Sequence, residues 1–399
     1  MATYDVVIAG AGIIGLTVAR ELALRGVQRL LVLDKEPRLG AHASGRNSGV
    51  LHAGLYYGTD SLKAKLCAEG SRRLQAYAAE HGIKLEKTGK VVVARSEREV
   101  PALEALYERG LKNGVVLRRL SVDELGEHEP LAHSVGFALL SPETAVIDSA
   151  AVLAQLAAEL EGRGVTLSLG EALGQVDAAA GTLRTSARSL DFGHLINCAG
   201  LHADAVAHGL GVGLRYRILP FKGIYRPLRA EAAVRIRGSI YPAPDLDNPF
   251  LGVHLTRSVF GDVYAGPTAI PALGRENYRG LAGADPAELP FFARDLATMW
   301  LKNQSGMRRL VRDEVHRYRK AAFVEAVRAL APELGADDLL GSTKVGVRAQ
   351  LVDEEEMRLV MDFVLESGPR STHVLNAVSP AFTASMALAE LIAGRVLAS

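Results

Sequence analysis

Cysteine is nearly missing from this chain of 399 residues: Cys67 and Cys198 stand far apart and form no CxxC pair. A disulfide framework and a cysteine-rich zinc site are thereby excluded, and the usage fits a reducing compartment. An excess of charge of either sign is missing too, with Lys+Arg 46 against Asp+Glu 45. No global field therefore points to nucleic acid or to an acidic membrane surface. No window approaches the roughly 18 uninterrupted apolar residues that a membrane span needs. The N-terminus shows no basic region ahead of a cleavable apolar stretch. Its apolar run, Val6 to Ile14, carries four small residues and reads as strand and turn. Internal repeats and low-complexity tracts are also absent. What is left is an α/β protein expected in the cytoplasm, 48% hydrophobic and long enough for two domains or for one with large insertions.

The opening of the chain reads as one βαβ unit. Asp5 to Ala9 is a short apolar run, the kind that a parallel strand buried on both faces requires. Gly10-Ala11-Gly12-Ile13-Ile14-Gly15 follows, then a helical stretch through Arg25 with Gly26 as its C-cap. Leu30 to Leu33 is the next strand and Asp34 ends it. Ser149 to Arg163 has helical periodicity, with Gly164 and the strand Val165 to Leu169 behind it; Leu195 to Cys198 is a further short strand. Between Leu214 and Ala272, aromatics, prolines and alternating patterns predict an antiparallel sheet. Pro286 to Leu334 returns to helix, and Asn376 to Ala398 reads as a closing helix. The fold expected is α/β, a Rossmann-like domain interleaved with a mostly antiparallel α+β substrate domain. The first takes residues 1–85, 141–212 and 340–399, and the second residues 86–140 and 213–339.

GxGxxG alone is weak evidence in a chain with 40 glycines, so context decides. Here the motif follows a buried-type strand, opens a helix, and is answered by an acid at the end of the next strand. Gly10, Gly12 and Gly15 have the tasks of a tight turn, close approach to a pyrophosphate, and helix–strand contact. The helix N-terminus beginning at Ile13 then holds phosphate, and Asp34 accepts hydrogen bonds from the adenosine ribose. Two segments favour FAD over NAD. The small, polar loop Ala43 to Gly54, with Arg46 in its midst, suits the second phosphate and ribityl chain of an extended flavin. Leu195 to Gly200 delivers small residues against the cofactor.

These segments resemble those of the FAD-dependent D-amino-acid-oxidase superfamily. More narrowly, the chain is similar to the L-2-hydroxyglutarate dehydrogenase/oxidase family, on several stretches spread in order along it. They are SGRNSGVLHAGLYY (44–57), SLKAKLCAEG (61–70), PFKGIY (220–225), IYPAPDLDNPFLGVHLTR (240–257), AGPTAI (265–270), KVGVRAQL (344–351) and NAVSPAFTAS (376–385). The resemblance implies an oxidoreductase that takes a 2-hydroxy acid, L-2-hydroxyglutarate first, to its 2-oxo acid by hydride transfer to flavin N5. It also implies reoxidation by O2 or a membrane quinone. The cofactor contacts expected are Gly10, Gly12, Ile13, Gly15, Asp34, Lys35, Ser44, Arg46, Asn47, Ser48, Gly49, Val50, Leu173, Ala199, Gly200, Pro380, Ala381, Phe382 and Thr383.

Such chemistry needs a grip on a carboxylate, a base for the hydroxyl proton, and a path to the flavin. Arg348 matches the superfamily's carboxylate-gripping arginine, whose planar fork pairs bidentately. His52 is the candidate base; a covalent link to the flavin and a structural role are its rival readings. His42, His81, His128, His133, His202, His208, His316 and His373 have no motif behind them. The far carboxylate of a five-carbon diacid calls for a second polar group, and Lys222, Tyr241, His254 and Arg257 stand unranked for it. Ser379-Pro380 has the form of an N-cap followed by proline at the first helical position. The resemblance places that helix N-terminus at the flavin pyrimidine ring. Met307 to Lys320 is a basic stretch with Leu310, Val311 and Val315 as apolar positions, open to two readings: peripheral membrane contact, or a solvated face. Two other functions stay open, an amine oxidase acting on glycine, sarcosine or a D-amino acid, and a flavin-binding partner without catalysis. The near-neutral charge speaks against a tRNA partner.

Overall fold

The computed structural model describes residues 2–244, 250–317 and 320–398. One sheet is built around the opening strand Ala2–Ala9, which runs parallel to Leu30–Asp34 on one side and to Ser189–Asn197 on the other. Its apolar residues are divided between two cores. Val6 and Ile8 face a layer of helices, while Val7 and Ala9 face a smaller cluster with Leu31, Leu33, Phe192 and Leu195. Burial on both faces is why the strand shows no polar alternation. Thr166–Leu169 extends the sheet beyond Leu30–Asp34, and Ser371–Asn376 pairs parallel with the end of Ser189–Asn197. The helices Ile13–Leu24, Leu62–Glu80, Ser149–Gly162 and Ala381–Ala398 cover the sheet. Gly70 is a point of backbone contact between two of them: a Cβ there would lie 2.5 Å from the Cα of Ala384.

A second sheet carries the strands Arg358–Leu359, Lys344–Asp353, Tyr216–Pro227, Val263–Gly266, His254–Arg257, Ser239–Pro242, Lys90–Val93, Ala138–Ser141 and Arg118–Leu120, in that order. Its longest ladder is antiparallel, from Tyr216↔Asp353 to Tyr225↔Lys344. One face rests on the helix Lys320–Arg328 through Val91, Val93, Ile240, Leu255 and Phe323. The other, with Val92, Leu139 and Tyr241, turns toward Ala53 and Leu55 of the polar loop region.

Several expectations are corrected. The segment from Leu214 to Ala272 is interrupted by the helix Ala230–Ala233, and Ser239–Pro242 pairs parallel with Lys90–Val93. Residues 340–399 are divided, since Lys344–Asp353 belongs to the second sheet and only the following strands and helix join the first. The closing helix begins at Ala381, because Ser371–Asn376 is a buried strand between sheet neighbours. That helix is long and apolar enough to cross a membrane, but most of it is buried against the other helices of the first sheet. In the basic helix Met307–Arg317, Met307 and Leu310 are buried and Val311 packs beside them, against Phe221, Phe250, Phe292 and Met299. The apolar side that a membrane would need is thus used inside. The side chain of Val315 and residues Tyr318 and Arg319 lie outside the described residues.

The two halves are clamped by a buried ion cluster. Arg275, from the loop after the short strand Ile270–Pro271, donates to Asp204 Oδ1 (2.5 Å) and Oδ2 (3.1 Å), to Glu288 Oε1 (2.6 Å) and to Leu201 O (2.6 Å). Asp204 is 1% exposed and also accepts from Ile218 N at 2.8 Å. Removing one member of such a cluster leaves an uncompensated buried charge. Arg275→Met is therefore expected to lower the unfolding free energy by about 3–5 kcal/mol, as read from urea unfolding; a loss below about 1 kcal/mol would show that the clamp is no constraint.

Candidate active site

The glycine turn closes where three chain segments meet. Gly10 has φ +109°, and a Cβ on it would stand 2.4 Å from Cys198 O, while one on Gly15 would stand 1.8 Å from Gly10 O. Only glycine fits at either position. The helix Ile13–Leu24 starts at Gly12 with no side-chain cap and no acid in its first turn. Its N–H groups and positive end are left without an anion of the protein's own, which is what a pyrophosphate requires. Asp34 braces the turn, accepting from Ala11 N (2.8 Å) and Glu36 N (2.9 Å), and Ser44 Oγ accepts from Ile13 N (2.9 Å). This cradle of bare backbone fits FAD.

Around it the remaining expected contacts are pinned. Arg46 Nε donates to Ala41 O (2.6 Å) and its guanidinium lies 4.2 Å from the Tyr278 ring centroid. Asn47 donates to Ser44 O (2.6 Å) and accepts from Gly49 N (2.8 Å). Ser48 links Asn47 to Gly49, whose φ is +76°. Lys35 is paired with Glu36 and Glu276, placing an ammonium within the group formed by Glu36, His42 and Glu276. Burial opposes ionisation of Glu276, but hydrogen bonds from Lys35 and His202 hold it down to about 2. Ala199 N donates to Asn197 Oδ1 (3.1 Å), and Gly200, at φ +55°, begins the next turn. Leu173 opens an edge strand and packs by the cluster of Ala9 and Leu195.

The start of the closing helix differs from the capping pattern expected. Ala381 is the first helical residue, and Pro380 precedes it and accepts through its carbonyl from Ala384 N (2.9 Å). Pro380, and not Ser379, therefore stands at the position before the helix. Phe382 packs on the helix core, and Thr383 Oγ1 donates to Val50 O (3.3 Å) and accepts from His52 N (3.2 Å). That hydroxyl fixes the backbone on which His52 sits.

The cavity side of the second sheet brings His52, Tyr56, Lys90, Tyr241, His254 and Arg348 into one neighbourhood. His52 Nδ1 is buried without a hydrogen-bond partner. His254 Nδ1 donates to Gly252 O (2.8 Å), which leaves Nε2 as an acceptor, and its ring stacks on Tyr241 at 3.9 Å. Burial, and then Lys90 with the other imidazole, pushes His52 down to about 3. Burial also takes His254 to about 3, with Arg348 and Lys90 adding to it. Both rings are neutral at any physiological pH. Arg348 donates to Thr268 O (3.0 Å), its guanidinium stands 5.5 Å from the Phe250 ring, and it has no carboxylate partner among the described residues.

Lys222 and Arg257 are not brought to this neighbourhood. The ladder sets Lys222 beside Val347, one step from the Phe221–Arg348 pair, and its Nζ donates to Asn277 Oδ1 at 2.6 Å. Arg257 is three residues from His254, so strand alternation sends it to the helix-backed face, where Nη1 donates to Ile236 O at 2.9 Å. Two residues of the cavity carry no expectation from sequence, Tyr56 and Lys90. Lys90 left a signal, a single charge at the head of the run KVVV in which every residue is buried.

The neutral imidazoles have a consequence for stability. A histidine held at about 3 binds no proton where its unfolded counterpart, near 6.5, does. Its contribution is complete above pH 6.5 and is lost as pH falls toward 3, by up to about 1.4 kcal/mol per pH unit. Unfolding free energies of wild type and His254→Gln should thus differ by a constant amount above pH about 7. Below pH about 6 wild type should lose stability more steeply than the variant, and parallel curves in urea unfolding would reject a buried neutral His254.

The family model described as FAD dependent oxidoreductase matches residues 5–395. L-2-hydroxyglutarate dehydrogenase of Indibacter alkaliphilus is 37% identical over 395 residues, covering 96% of both chains. The mitochondrial protein of that name from Homo sapiens is 36% identical and covers 99% of this chain and 89% of its own. That from Escherichia coli is 34% identical over 98% and 93%. Among solved structures, dithionite-reduced L-α-glycerophosphate oxidase from Mycoplasma pneumoniae with FAD bound superposes with TM-score 0.79 at 22% identity, covering 100% of this chain and 96% of that one. Glycine oxidase from Geobacillus kaustophilus gives 0.76 at 18% identity, over 100% and 96%. The chain belongs to the FAD-dependent oxidoreductase family and groups there with the L-2-hydroxyglutarate dehydrogenases.

Proposed function

We propose that the chain oxidises L-2-hydroxyglutarate to 2-oxoglutarate. The observation that carries this reading is a group of side chains in which Arg348, free of any carboxylate among the described residues, lies near two imidazoles that burial keeps neutral. FAD held in the glycine cradle supplies the two-electron acceptor that the oxidation needs. Gly10, Gly12, Gly15 and the helix start at Ile13 hold its pyrophosphate, and Asp34 its ribose. Arg348 takes the carboxylate next to the hydroxyl, as a planar fork on two oxygens. His52, whose Nδ1 has no partner of its own, accepts the hydroxyl proton at that atom. Its low proton affinity belongs to the unliganded pocket. An entering dianion adds negative charge beside the ring and raises that affinity where it is needed. The membrane reading of Met307–Arg317 has no support in its packing, so the acceptor proposed first is molecular oxygen, with a quinone as the alternative that oxygen-uptake measurements separate.

Anaerobic titration of the yellow holoenzyme with both enantiomers of 2-hydroxyglutarate tests the assignment. Bleaching of the flavin band by the L form, with little response to the D form, to L-lactate or to glycine, is the outcome expected. Bleaching by glycine or sarcosine in place of hydroxy acids would transfer the chain to the amine oxidases.

Arg348→Lys should be nearly as impaired as Arg348→Ala, each weakening substrate affinity by about 10²-fold, because an ammonium cannot reproduce a bidentate pair. Near-normal kinetics in the lysine variant would reduce Arg348 to a source of general field. His52→Ala should keep FAD and substrate binding but reduce the flavin about 10² to 10⁴ times more slowly in anaerobic stopped flow. A wild-type rate would take His52 out of the proton transfer. Flavin that stays with the acid-precipitated protein would make it a covalent anchor.

A further inference from the structure

Lys90 opens the strand Lys90–Val93, a run buried at every position. Alternation along that strand sends Val91 and Val93 into the core backed by the helix Lys320–Arg328, and Val92 and Ala94 to the side that faces Ala53 and Leu55. Lys90 shares the parity of Val92 and therefore points with it, toward the cavity. Its neighbours across the sheet are Ser239 and Ser141, neither of them an acid. The side chain ends over two aromatic faces, with Nζ 4.5 Å from the ring centroid of Tyr56 and 4.9 Å from that of Tyr241. Lys90 is 1% exposed, and its Nζ has no hydrogen-bond partner.

This is an expensive place for an amine. Aromatic faces stabilise a desolvated cation, but they leave its three N–H groups without acceptors. The nearest group that could carry negative charge is the Cys67 thiol, and burial lifts it to about 12, so it stays neutral. Burial lowers Lys90 to about 7. Nothing in the fold needs the charge, for the cluster formed by Ala53, Leu55, Val92, Leu139 and Tyr241 is otherwise apolar. Groups left unsatisfied in this way belong to ligand sites more often than to cores.

Position decides what the ligand is. Lys90 and Arg348 both depress the proton affinity of His254, and Lys90 acts on His52 as well. Arg348 and the Lys90 amine thus both stand near the neutral imidazoles, with no carboxylate of the protein's own beside either among the described residues, and an anion bound at Lys90 would hold its amine in the charged form. Two such groups without acidic partners are both satisfied by a ligand with an anion at each end. The two cations that the sequence also offered for the far carboxylate are engaged elsewhere, Lys222 with Asn277 and Arg257 with Ile236. We infer that Lys90, wedged between Tyr56 and Tyr241, receives the substrate carboxylate farthest from Arg348 and makes the site selective for diacids over monoacids. The inference rests on the diacid reading of the site and names the residue that enforces it. Tyr241 and His254 shape the wall between the two grips, and their neutrality keeps both carboxylates for the cations.

The experiment uses the oxidised holoenzyme and two acids that cannot react, glutarate and butyrate, which differ by one terminal carboxylate. Their dissociation constants are read from the perturbation of the flavin spectrum, for wild type, Lys90→Gln and Lys90→Met, beside thermal melts with and without glutarate. Wild type should prefer glutarate by about 10²-fold, and both variants should lose that preference while binding butyrate as before. Lys90→Met, which fits an apolar slot, should melt no lower than wild type without ligand, and glutarate should raise the melting temperature of wild type alone. A variant that retains the glutarate preference overturns the role of Lys90 and leaves the diacid reading standing. A wild type with no preference sinks the diacid reading itself. Equal weakening of both acids, or flavin reduction by L-2-hydroxyglutarate and L-lactate slowed by the same factor, would make Lys90 a general structural or proton-transfer group and also overturn the inference. Should one variant fail to retain flavin, the other carries the comparison.

Discussion

Backbone meets backbone at the glycine turn, and the rest of the molecule is arranged around that contact. Gly15 lies against the carbonyl of Gly10, and Gly10 against the carbonyl of Cys198, at distances that admit no side chain. The opening strand, the helix it feeds and the strand Ser189–Asn197 can therefore converge on one point. Their ends form a concave surface of N–H groups there, in place of a wall of side chains. An anionic cofactor supplies the counter-charge that the exposed helix start lacks. The same requirement explains the buried polar framework behind the turn, in which Asp34 and Ser44 bind main-chain N–H groups.

The second sheet answers with side chains. Its cavity face presents cations and neutral rings, and its other face is an ordinary apolar core. Placing the reactive groups requires the segments that carry them to keep fixed positions, and three features help to do so. Arg275 ties the short helix Ala203–His208 to the loop above it, Thr383 pins the His52 backbone to the closing helix, and Gly70 lets two covering helices touch. Each is remote from the chemistry or only adjacent to it. Misplacement of about 1 Å through any of them would be felt in the reaction, since catalysis depends on alignment.

What was legible in the sequence follows from the range of the signals. The βαβ opening, Asp34 and the loop from Ala43 to Gly54 are local patterns, and local rules of strand, turn and cap read them. The pairing of Lys344–Asp353 with Tyr216–Pro227 joins residues more than a hundred positions apart and leaves no mark in either stretch. Parity was the finer failure. His254 and Arg257 look like neighbours in the motif GVHLTR, yet a separation of three puts them on opposite faces once the segment is known to be a strand. Lys222 is lost to the cavity by the same one-step argument against Phe221. In sequence, a lysine at the head of an apolar run cannot be told from the exposed end of a strand. Only the packing of Tyr56 and Tyr241 over it shows that it is inside. In the basic stretch from Met307 the charged side is exposed at Arg308, Arg309 and Arg312, while its few apolar residues anchor it to a core that hydropathy alone does not reveal.

The order of strands in the first sheet sets the order in which the molecule can assemble during synthesis. Ser189–Asn197 lies between strands from opposite regions of the chain, Ala2–Ala9 and Ser371–Asn376. The helix Ala381–Ala398 then covers the helix that starts the glycine turn. A nascent chain emerging from the ribosome holds the opening βαβ unit long before its covering layer exists. Much of its apolar surface must wait, exposed or loosely collapsed, while most of the chain is translated. Long sequence separation makes such closure slow and leaves the intermediate prone to association. FAD binds the completed cradle in preference to the unfolded chain and so favours the native form by mass action.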